Sequence, residues 1–600
     1  MRMRWSAVVS LGLALACAAM APAETYRYTG EIHFDVSKAP FSRYGSYLTI
    51  AQFLPGGITN NAPGLYLRSM RGGDHNVFRI ELLAAGEPVP FTIEAGPAKL
   101  ILRAPAGSVE FCIPKADEVR VRGRGVALRL TAVTKTLTTA NGNGRWEINT
   151  PPNEKFMVLP IAGTLQVDAP WNGKGTARTV ATLEPAADGR FEAELDTYPS
   201  VWTAHAASGS FDGDVAAVRR EYQQWLARMP EVPAEYGAGA ELAAYIDWAS
   251  VVAPGGYLKF PAMLMSKNWM DRVWSWDHCF NAMALAEKDP ELAWEQFELP
   301  FANQDAHGAL PDTMGNDALG FSYTKPPIHG WALQWMAERG GYRDTKHLAA
   351  IYGPMARWTK WFFKYRDTNG DGLPEYDHGN DSGWDNSTVM LEGSPVESPD
   401  LDAFLILQMD ELARMAHALG KDAEARTWTA RADALQAKML AKFWKGDHFV
   451  AYRADGKEID SGSLQLYLPN LLGKRLPAEV RAKLIAGLMK PGRFRTANGF
   501  ATEPLDSAYY QADGYWRGPI WAPTEMIVAE GLDASGEHEL ATKTREDFCR
   551  MAQKSGMSEN YDAVTGAALR DPGYTWASSV YLIFAHQLWE GERTHSSKND

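Results

Sequence analysis

The sequence predicts a multidomain protein, with an N-terminal all-β sandwich followed by an all-α (α/α)6 barrel. A chain of 600 residues is too long for one ordinary domain. Before about residue 230, short β-type runs alternate with Gly, Pro, Asn and Asp. Beyond that point, apolar residues recur at three- and four-residue spacing nearly to the end. This change of pattern separates the two predicted parts.

Residues 1–23 are typical of a secretory signal peptide. Arg2 and Arg4 form a basic start, an apolar run covers 5–19, and Ala-Pro-Ala at 21–23 is a small-residue cleavage site. The run is too short for a comfortable transmembrane span, and no later stretch is long and apolar enough to be one. We therefore expect a periplasmic or secreted protein.

The cysteines give little support for lipidation, metal binding or more than one disulfide. Lipoprotein processing at Cys17 is an alternative to secretion. It is less favoured, because Ala14 stands three residues before Cys17, where Leu is usual. The remaining cysteines, Cys112, Cys279 and Cys549, are far apart and lack metal-type spacing. At most one disulfide is possible, and we expect buried free thiols.

We assign residues 24–225 to the β-sandwich, 226–592 to the helical barrel and 593–600 to a disordered tail. Runs such as "EVRVRGRGVALRLTAV" and "GRFEAELDTYPSVWTAH" predict strands, and "DVAAVRREYQQWLARMP" predicts a helix that leads onward. Roughly a dozen helices follow, joined by alternating short and long loops. In antiparallel pairs they can close into a toroid, with the polar motifs gathered in the long loops at one end.

The amino-acid composition narrows the class of ligand that this protein could bind. The net charge of −13 argues against a nucleic-acid partner, because phosphates demand a basic surface. Tryptophan is unusually common, at 21 residues. Indole faces stack on sugar rings, so a carbohydrate ligand is one interpretation. A large aromatic core is the equally weighted alternative.

The stretch "GNDSGWDNST", residues 379–388, is the first candidate catalytic motif. A short Gly-containing turn exposes its side chains, and a carboxyl beside an indole is partly desolvated, which raises its pKa. Asp385 directly follows Trp384 and is therefore a candidate general acid. The alternative is a turn of capping residues, which this stretch by itself favours.

A second carboxyl comes from "SGMSENYDAVTG", residues 555–566. Glu559 lies there between a helix end and a turn, where it could hold a water molecule opposite the acid. A solvent-exposed loop glutamate is the alternative. If both carboxyls face one pocket, the pair can hydrolyse a glycosidic bond.

Aromatic and polar residues cluster in further motifs, including "DRVWSWDHCF", "NQDAHGALPD", "YTKPPIHGWA" and "YWRGPIW". Aromatic platforms alternating with hydrogen-bonding groups suit a sugar. Any one of these motifs alone is more often packing plus a helix cap. The candidate substrate-binding residues are Trp274, Trp276, Asp277, Gln304, Lys325, Trp384, Tyr515, Trp516, Arg517 and Trp521.

The segment "RDTNGDGLPEY" predicts a structural Ca²⁺ site. Asp367, Asn369 and Asp371 stand at positions one, three and five of an EF-hand-like run, with Glu375 at position nine. Position twelve is His378 instead of Glu, so the EF-hand is incomplete. A polar loop without an ion is the alternative. We expect no organic cofactor, because the sequence has no P-loop and no Rossmann glycine fingerprint.

Eight motifs, in their order along the chain, resemble glycoside hydrolase family 63, which includes α-glucosidases and mannosylglycerate and glucosylglycerate hydrolases. They are "WSWDHCF", "GALPD", "KPPIHGWA", "DTNGDGLPEY", "SGWDNS", "SPDLDAFLI", "YWRGPIW" and "ENYDAVTG". The likeness covers about residues 240–590. It implies an (α/α)6 catalytic barrel behind a β-sandwich, and hydrolysis of an α-linked sugar with inversion. It places the general acid on Asp385 and the general base on Glu559.

The resemblance also implies calcium at "DTNGDGLPEY", as in many bacterial members. Its innermost sugar subsite falls on Trp276, Asp277, Trp516 and Arg517. Two departures bear on substrate identity more than on reaction type: "WDHCF" stands where "WDS.F" is commoner, and "WAPTE" follows "GPI".

The sequence therefore predicts an inverting, exo-acting hydrolase whose partner is an oligosaccharide or a small α-glycoside, with glucosides foremost. A trehalase-like hydrolase is an alternative, because trehalases share a similar "SGWD" element. A non-catalytic carbohydrate-binding protein on the same fold is another. The acidic charge argues against a polysaccharide lyase, and a phosphorylase would need no water-activating base. The particular sugar, the linkage and the oligomeric state are not predicted.

Overall fold

The computed structural model describes residues 24–56, 61–72, 75–151, 154–205 and 209–596. The predicted signal peptide and Cys17 lie outside these residues. In the described part, Cys112, Cys279 and Cys549 are buried free thiols, as predicted. Among the described helices, none combines the length and the apolar character that a bilayer crossing requires.

The N-terminal part consists of two antiparallel sheets. One has the order β1-β2-β3-β9-β14-β13 with β4 paired to β3, and the other has the order β10-β11-β12-β15-β8-β7-β6-β5. The strands are β1 Leu48–Phe53, β2 Gly64–Ser69, β3 Asn76–Ala84, β4 Glu87–Val89, β5 Thr92–Gly96, β6 Lys99–Ala104, β7 Gly107–Lys115, β8 Glu118–Arg124, β9 Ala127–Ala132, β10 Leu137–Ala140, β11 Trp146–Thr150, β12 Glu154–Ala162, β13 Thr164–Asp168, β14 Val180–Glu184 and β15 Arg190–Tyr198.

The two sheets enclose one hydrophobic core. On β6, Leu100 and Leu102 are buried, whereas Arg103 beside them is exposed. Leu128 and Leu130 of β9, in the other sheet, belong to the same buried cluster as the two β6 leucines. This alternation of inward apolar and outward polar residues is the pattern that predicts a sandwich, so the all-β N-terminal part is confirmed.

The remainder is helical. Its helices are α1 Phe211–Leu226, α2 Gly237–Ser250, α3 Asp277–Leu285, α4 Pro290–Ala302, α5 His329–Arg339, α6 Thr345–Tyr365, α7 Pro399–Ala418, α8 Asp422–Phe443, α9 Ala478–Leu488, α10 Ala522–Ser535, α11 His538–Ser555 and α12 Thr575–Ser596, with a long 3₁₀ segment at Leu464–Arg475. Because α12 runs to Ser596, the predicted disordered tail, 593–600, begins inside a helix. Residues 597–600 lie outside the described residues.

The helices form two concentric rings. The inner elements contact one another in the order α3, α5, α7, the 3₁₀ segment, α10, α12 and again α3. Each outer helix packs on neighbouring inner ones, as α2 does on α12, α4 on α3 and α8 on α7. Inner and outer elements alternate along the chain, which is the (α/α)6 arrangement.

Long connections lead into the inner helices and short ones lead out. Residues 366–398 enter α7, for example, whereas only 419–421 separate α7 from α8. All inner helices therefore begin at one end of the barrel, where the long connections meet. The long connections contain the short strands Val251–Val252, Ala262–Met263, Val273–Trp274, Thr313–Met314, Leu319–Gly320, Glu375–Tyr376, Val396–Glu397, Ala451–Arg453, Glu458–Ile459, Ser558–Tyr561 and Ala568–Pro572.

Helix α1 and the N-terminal segment join the two parts. The side chain of Ser210 caps α1 by accepting a hydrogen bond from the Gly213 backbone N–H, and α1 packs against β7, β8 and α2. The Tyr26 hydroxyl donates to Glu241 of α2 at 2.9 Å, and the Gly30 N–H donates to the same carboxylate at 2.6 Å. The sandwich is thus anchored on the outer ring.

Candidate active site

The turn at residues 379–388 is organised by a buried carboxylate. Asp381 is 1 % exposed. Its Oδ2 accepts from the backbone N–H groups of Asp377 and His378 at 2.9 and 3.0 Å. Its Oδ1 accepts from the N–H of Thr324 at 2.7 Å. The capping role considered for this stretch therefore belongs to Asp381, which leaves the second carboxyl of the turn free for chemistry.

Two glycines let the turn close. A Cβ on Gly379 would lie 2.0 Å from the carbonyl oxygen of Asp385, and one on Gly383 would lie 2.7 Å from the indole of Trp276. Gly383 also has a φ of 71°, which L-residues rarely adopt. The two glycines that precede the candidate acid thus let the turn pack closely against the Asp385 carbonyl and the Trp276 indole.

Asp385 is a largely buried carboxyl at the end of this turn. Burial raises its pKa, while the charges of Lys325 and His378 and a hydrogen bond from Tyr515 oppose the shift. The side-chain amide of Asn380 lies beside Asp385. When its nitrogen faces the carboxyl group, it donates to both Asp385 oxygens at 3.3 Å. The raised pKa has the direction that a general acid needs.

Glu559 lies on the short strand Ser558–Tyr561, which pairs with Ala568–Pro572. It is 3 % exposed, and its Oε2 accepts from the N–H of Asp571 at 3.3 Å. Burial and the neighbouring Asp571 raise the pKa of Glu559 to about 8, against the opposing charge of Arg570. Glu559 is thus a buried carboxyl and not an exposed loop residue.

Tyr515 connects the two carboxyls. Its side chain lies close to both Asp385 and Glu559, and its interaction with each carboxyl opposes the rise in that carboxyl's pKa. Tyr515 has a φ of 63°, a conformation that costs a non-glycine residue roughly 1 kcal/mol or more. The strained tyrosine therefore stands between two acids that face the same space.

Further charged side chains line this space. Asp277, the first residue of α3, is 3 % exposed, and its Oδ2 has no hydrogen-bond partner among the described atoms. Burial raises the pKa of Asp277 to about 8, against the charge of Lys325. Lys325 lies 3.3 Å from Asp312 and donates to the Asn380 carbonyl at 2.8 Å. These groups offer hydrogen-bond donors and acceptors to a polar ligand.

Four tryptophans form a packed cluster beside the carboxyls. Trp516 stacks on Trp521 with ring centroids 3.9 Å apart. Trp384 lies 4.8 Å and Trp276 lies 6.4 Å from the ring of Trp516. Their exposures are only 1 to 2 %, so the four rings pack on one another and on the barrel core. Their contact with a sugar stays a prediction.

The remaining predicted substrate-binding residues differ in position. Trp274 is only half-buried and packs against the barrel core, so it keeps accessible surface. Gln304 braces a loop: its Nε2 donates to the carbonyls of Gly308 and Pro354 at 2.9 and 3.0 Å, and its Oε1 accepts from Arg357 at 2.7 Å. These contacts engage both ends of the Gln304 side-chain amide.

Arg517 ties two motifs together. Its Nε donates to the carbonyl of Asn386 at 2.6 Å. The side chain of Asn386 in turn accepts from the N–H of Trp516 at 2.9 Å and donates to the carbonyl of Gly514 at 3.0 Å. The segment "YWRGPIW" is thus fastened to the turn that carries the candidate acid.

Hydrogen bonds and an ion pair engage the predicted calcium ligands, although the buried Oδ1 of Asp367 has no partner among the described atoms. Each of them accepts a hydrogen bond within the loop, at 2.9 to 3.1 Å. The pairs are Asp367 with Gly372, Asn369 with Asp371, Asp371 with Leu373, and Glu375 with Thr368. Lys442 lies 2.6 Å from the other carboxyl oxygen of Asp371. An ammonium group therefore occupies the acidic side of the loop.

The described residues contain one other group with ligand atoms close together, in the sandwich. The ligand atoms of Glu194, Asp196 and His205 lie within 4.8 Å of one another. Asp196 Oδ2 already bonds to His205 at 2.7 Å and to the indole N–H of Trp202 at 2.6 Å. This cluster holds the segment after β15 against the sheet.

Several residues of the site were absent from the candidate set. Asp312 lies in "GALPD", a motif that the family resemblance includes, so the sequence carried a signal for it. Asn380 lies inside the acid turn itself. Arg570 and Asp571 lie in "LRDPGY", which matches no motif. Only the pairing of their strand with the Glu559 strand reveals their proximity.

Glycoside hydrolases use two carboxyl groups that flank the scissile bond, and Asp385 and Glu559 lie on the loops that enter the inner helices of this (α/α)6 fold. The chain belongs to the family described as the mannosylglycerate hydrolase MGH1-like glycoside hydrolase domain, which matches residues 270–577, more than half of its length. The resemblance to glycoside hydrolase family 63 is thereby confirmed.

The known proteins that are similar to this chain align with different fractions of its length. The glucosylglycerate hydrolase of Mycolicibacterium hassiacum is 31 % identical over 408 residues, which is 52 % of this chain and 91 % of that protein. The mannosylglycerate hydrolase of Thermus thermophilus is 23 % identical over 395 residues, which is 52 % of this chain and 93 % of that protein. A bacterial glucoamylase, solved in complex with acarbose, aligns over 95 % of this chain and 96 % of its own, with a TM-score of 0.59 and 11 % identity. The last likeness concerns the fold alone.

Proposed function

We propose that this protein is an inverting, exo-acting glycoside hydrolase of α-linked glucosides or related α-glycosides, with Asp385 as general acid and Glu559 as general base. The observation that supports the proposal is that Asp385 and Glu559 both interact with the side chain of Tyr515. Hydrolysis requires a proton donor and a water activator close to one glycosidic bond.

In the proposed reaction, Asp385 gives its proton to the glycosidic oxygen as the bond to the anomeric carbon breaks. Glu559 takes a proton from a water molecule whose oxygen bonds to that carbon from the opposite face. The released alcohol carries the proton of Asp385, and solvent restores both carboxyls. The buried carboxyl of Asp277 forms a hydrogen bond with a sugar hydroxyl.

The deep burial of the acidic side chains is consistent with exo action. Asp277, Asp312 and Glu559 are at most 7 % exposed. A closed end accepts the terminal sugar of a chain or a small glycoside. An endo-acting enzyme would need an open path for the chain on both sides.

The stereochemical outcome tests the proposal. Inverting enzymes separate their carboxyls by roughly 6.5–9.5 Å and retaining enzymes by about 5 Å. NMR of the first-formed product from an α-glycoside should show the β-anomer. Release of the α-anomer would contradict inversion, and absence of turnover on every substrate would favour the carbohydrate-binding alternative.

The substrate is best found with a panel of α-glycosides. Glucosylglycerate and mannosylglycerate belong in it because hydrolases of these compounds are among the relatives. Trehalose represents the trehalase-like alternative, and maltose and aryl α-glucosides represent the wider glucosides. The substrate with the highest kcat/KM defines the sugar. If trehalose leads the panel, the trehalase-like alternative replaces the primary assignment.

We further propose export to the periplasm or the medium. Arg2 and Arg4, the apolar run 5–19 and the Ala-Pro-Ala at 21–23 support it. Mass spectrometry of the mature protein should find an unmodified N-terminus at or near Glu24. A lipid-modified Cys17 would establish the lipoprotein alternative instead.

A further inference from the structure

The loop between α6 and the acid turn is held by two lysines of α8. Lys438 donates to the carbonyl of Asp371. Lys442, one turn further along the helix, lies 2.6 Å from Asp371 Oδ2 and forms a second ion pair with Glu397. A helix presents such i, i+4 positions on one face. Together they fasten the tip of the loop, around Gly372, to the outer ring.

The positive charge of Lys442 lies beside the acidic side chains of Asp371 and Glu397. Glu397 is fully buried, and its second oxygen accepts from Asn369 at 2.6 Å. Lys442 therefore has a carboxyl group on either side, Asp371 and Glu397.

A third acid close by does not add a ligand. Asp402 of α7 is fully buried, and neither of its carboxyl oxygens has a hydrogen-bond partner among the described atoms. Burial and the nearby acids Asp400 and Glu397 raise its pKa well above the ordinary value. Lys442 forms its ion pairs with Asp371 and Glu397.

The ion pair between Lys442 and Glu397 is connected to the candidate acid through the backbone. Glu397 lies on the strand Val396–Glu397, which pairs with Glu375–Tyr376. The acid turn at 379–388 follows that second strand directly. Movement of the loop tip would therefore shift the strand from which the turn departs.

We propose that the ammonium group of Lys442 serves as the internal cation of the 367–377 loop, so that the loop and the acid turn hold their conformation without a divalent metal ion. A lysine is tied covalently to α8, so its occupancy does not depend on metal concentration. Lys442 is a positioning residue, since it acts on Asp385 through the intervening strand and turn.

The test compares metal dependence before and after the ammonium is removed. In the full-length mature protein, the Tm and the kcat of the wild type should be equal in EDTA and in about 5 mM CaCl2. Lys442→Gln leaves Asp371 and Glu397 without their cation. We expect its Tm in EDTA to fall by roughly 3–8 °C, and its kcat to fall about fivefold or more.

Calcium should then rescue the variant. With the ammonium gone, the loop carboxylates can accept the ion, so CaCl2 should restore at least half of the lost Tm in Lys442→Gln. Lys442→Arg should keep the wild-type values without calcium. Lys445→Gln is the matched control: it removes a lysine of the same region that pairs with Glu458 at the surface, and it should show no calcium effect.

Two outcomes overturn the proposal. One is a wild-type Tm that rises with calcium, which would mean that the loop takes the ion despite Lys442. The other is a Lys442→Gln variant with wild-type Tm in EDTA, which would mean that the lysine is dispensable. The unfolding measurements need no substrate, so they stand even if the proposed hydrolase activity fails. If Lys442→Gln does not fold in EDTA, the wild-type comparison still decides.

Discussion

The side-chain oxygen of Asn386 accepts a 2.9 Å hydrogen bond from the backbone N–H of Trp516. Asn386 directly follows the candidate acid, and Trp516 directly follows the tyrosine that reaches both carboxyls. One asparagine therefore sets the distance between the acid turn and "YWRGPIW". Position errors of this kind are costly, because a displacement of about 1 Å can reduce a rate about 100-fold.

We expect Asn386→Ala to lower kcat by about 10- to 100-fold while KM changes little, since the acid and Tyr515 lose their fixed separation. Asn386→Asp keeps the acceptor for Trp516 but loses the donor to Gly514. Its kcat should lie between those of the wild type and Asn386→Ala. Asn172→Ala, which removes a similar turn acceptor in the sandwich, is the control and should keep full activity. Steady-state kinetics on the substrate from the panel measures all three. An unchanged kcat in Asn386→Ala would contradict the tether.

The helical part could be predicted well because its apolar spacing is regular. The sequence predicts roughly a dozen helices in this part, and the described residues contain eleven α-helices, α2 to α12, beside the long 3₁₀ segment. The 3₁₀ segment Leu464–Arg475 was missed, because Pro469 and a kink at Gly473, with a φ of 51°, interrupt the helical pattern. Sequence spacing therefore identifies regular helices, and it fails where an inner element is irregular.

The site was predicted less completely. Asp385 and Glu559 were found because both lie in compact polar motifs. Trp516 was expected to face a sugar, yet it is 2 % exposed, because motif composition does not say which side of an indole is covered. Asp571 lies beside Glu559 only through strand pairing, a contact between segments that no local pattern encodes.

The roles of the two carboxyls can be separated with leaving groups. Glu559 has a pKa of about 8, which taken alone would also suit a proton donor. On an ordinary α-glycoside, Asp385→Asn and Glu559→Gln should each lose about 10³-fold or more in kcat. An α-glycosyl fluoride needs no protonation to depart, so Asp385→Asn should regain much of its rate on it.

Glu559→Gln should stay inactive on the fluoride, because the attacking water still needs a base. Fluoride release measured with an ion-selective electrode gives both rates. The reverse pattern, with rescue of Glu559→Gln alone, would exchange the two roles. The wild type on the same fluoride supplies the reference rate.

Arg570 should set the acidic limb of the pH profile. Its charge lowers the pKa of Glu559 against burial, so Arg570→Met should raise that pKa. Because kcat/KM of the free enzyme falls as the base becomes protonated, the acidic limb should move to higher pH by roughly half a unit or more. Asp513→Asn is the control, since it removes the 2.7 Å ion-pair partner of Arg570 and keeps the arginine charge. Equal shifts in both variants would point to loop disruption instead.

The buried state of Glu559 should be visible in stability as well as in rate. Its pKa is raised from 4.5 to about 8 by folding, so the folded protein binds this proton more tightly than the unfolded chain. The contribution of this group to stability is therefore fully present below about pH 4.5 and is lost as pH rises towards 8. Glu559→Gln has no proton to lose, and its Tm should exceed that of the wild type increasingly between pH 5 and pH 9.

We expect the difference to be about 1 °C or less at pH 5 and several degrees near pH 9. Thermal unfolding by circular dichroism across this range measures it. Glu479→Gln is the matched control, because the Glu479 side chain is 82 % exposed, and its Tm difference from the wild type should stay constant with pH. A constant difference for Glu559→Gln would mean that Glu559 is ionised in the folded enzyme throughout. The acidic limb of its activity would then have to come from another group, with Asp277 the next buried acid on the same space.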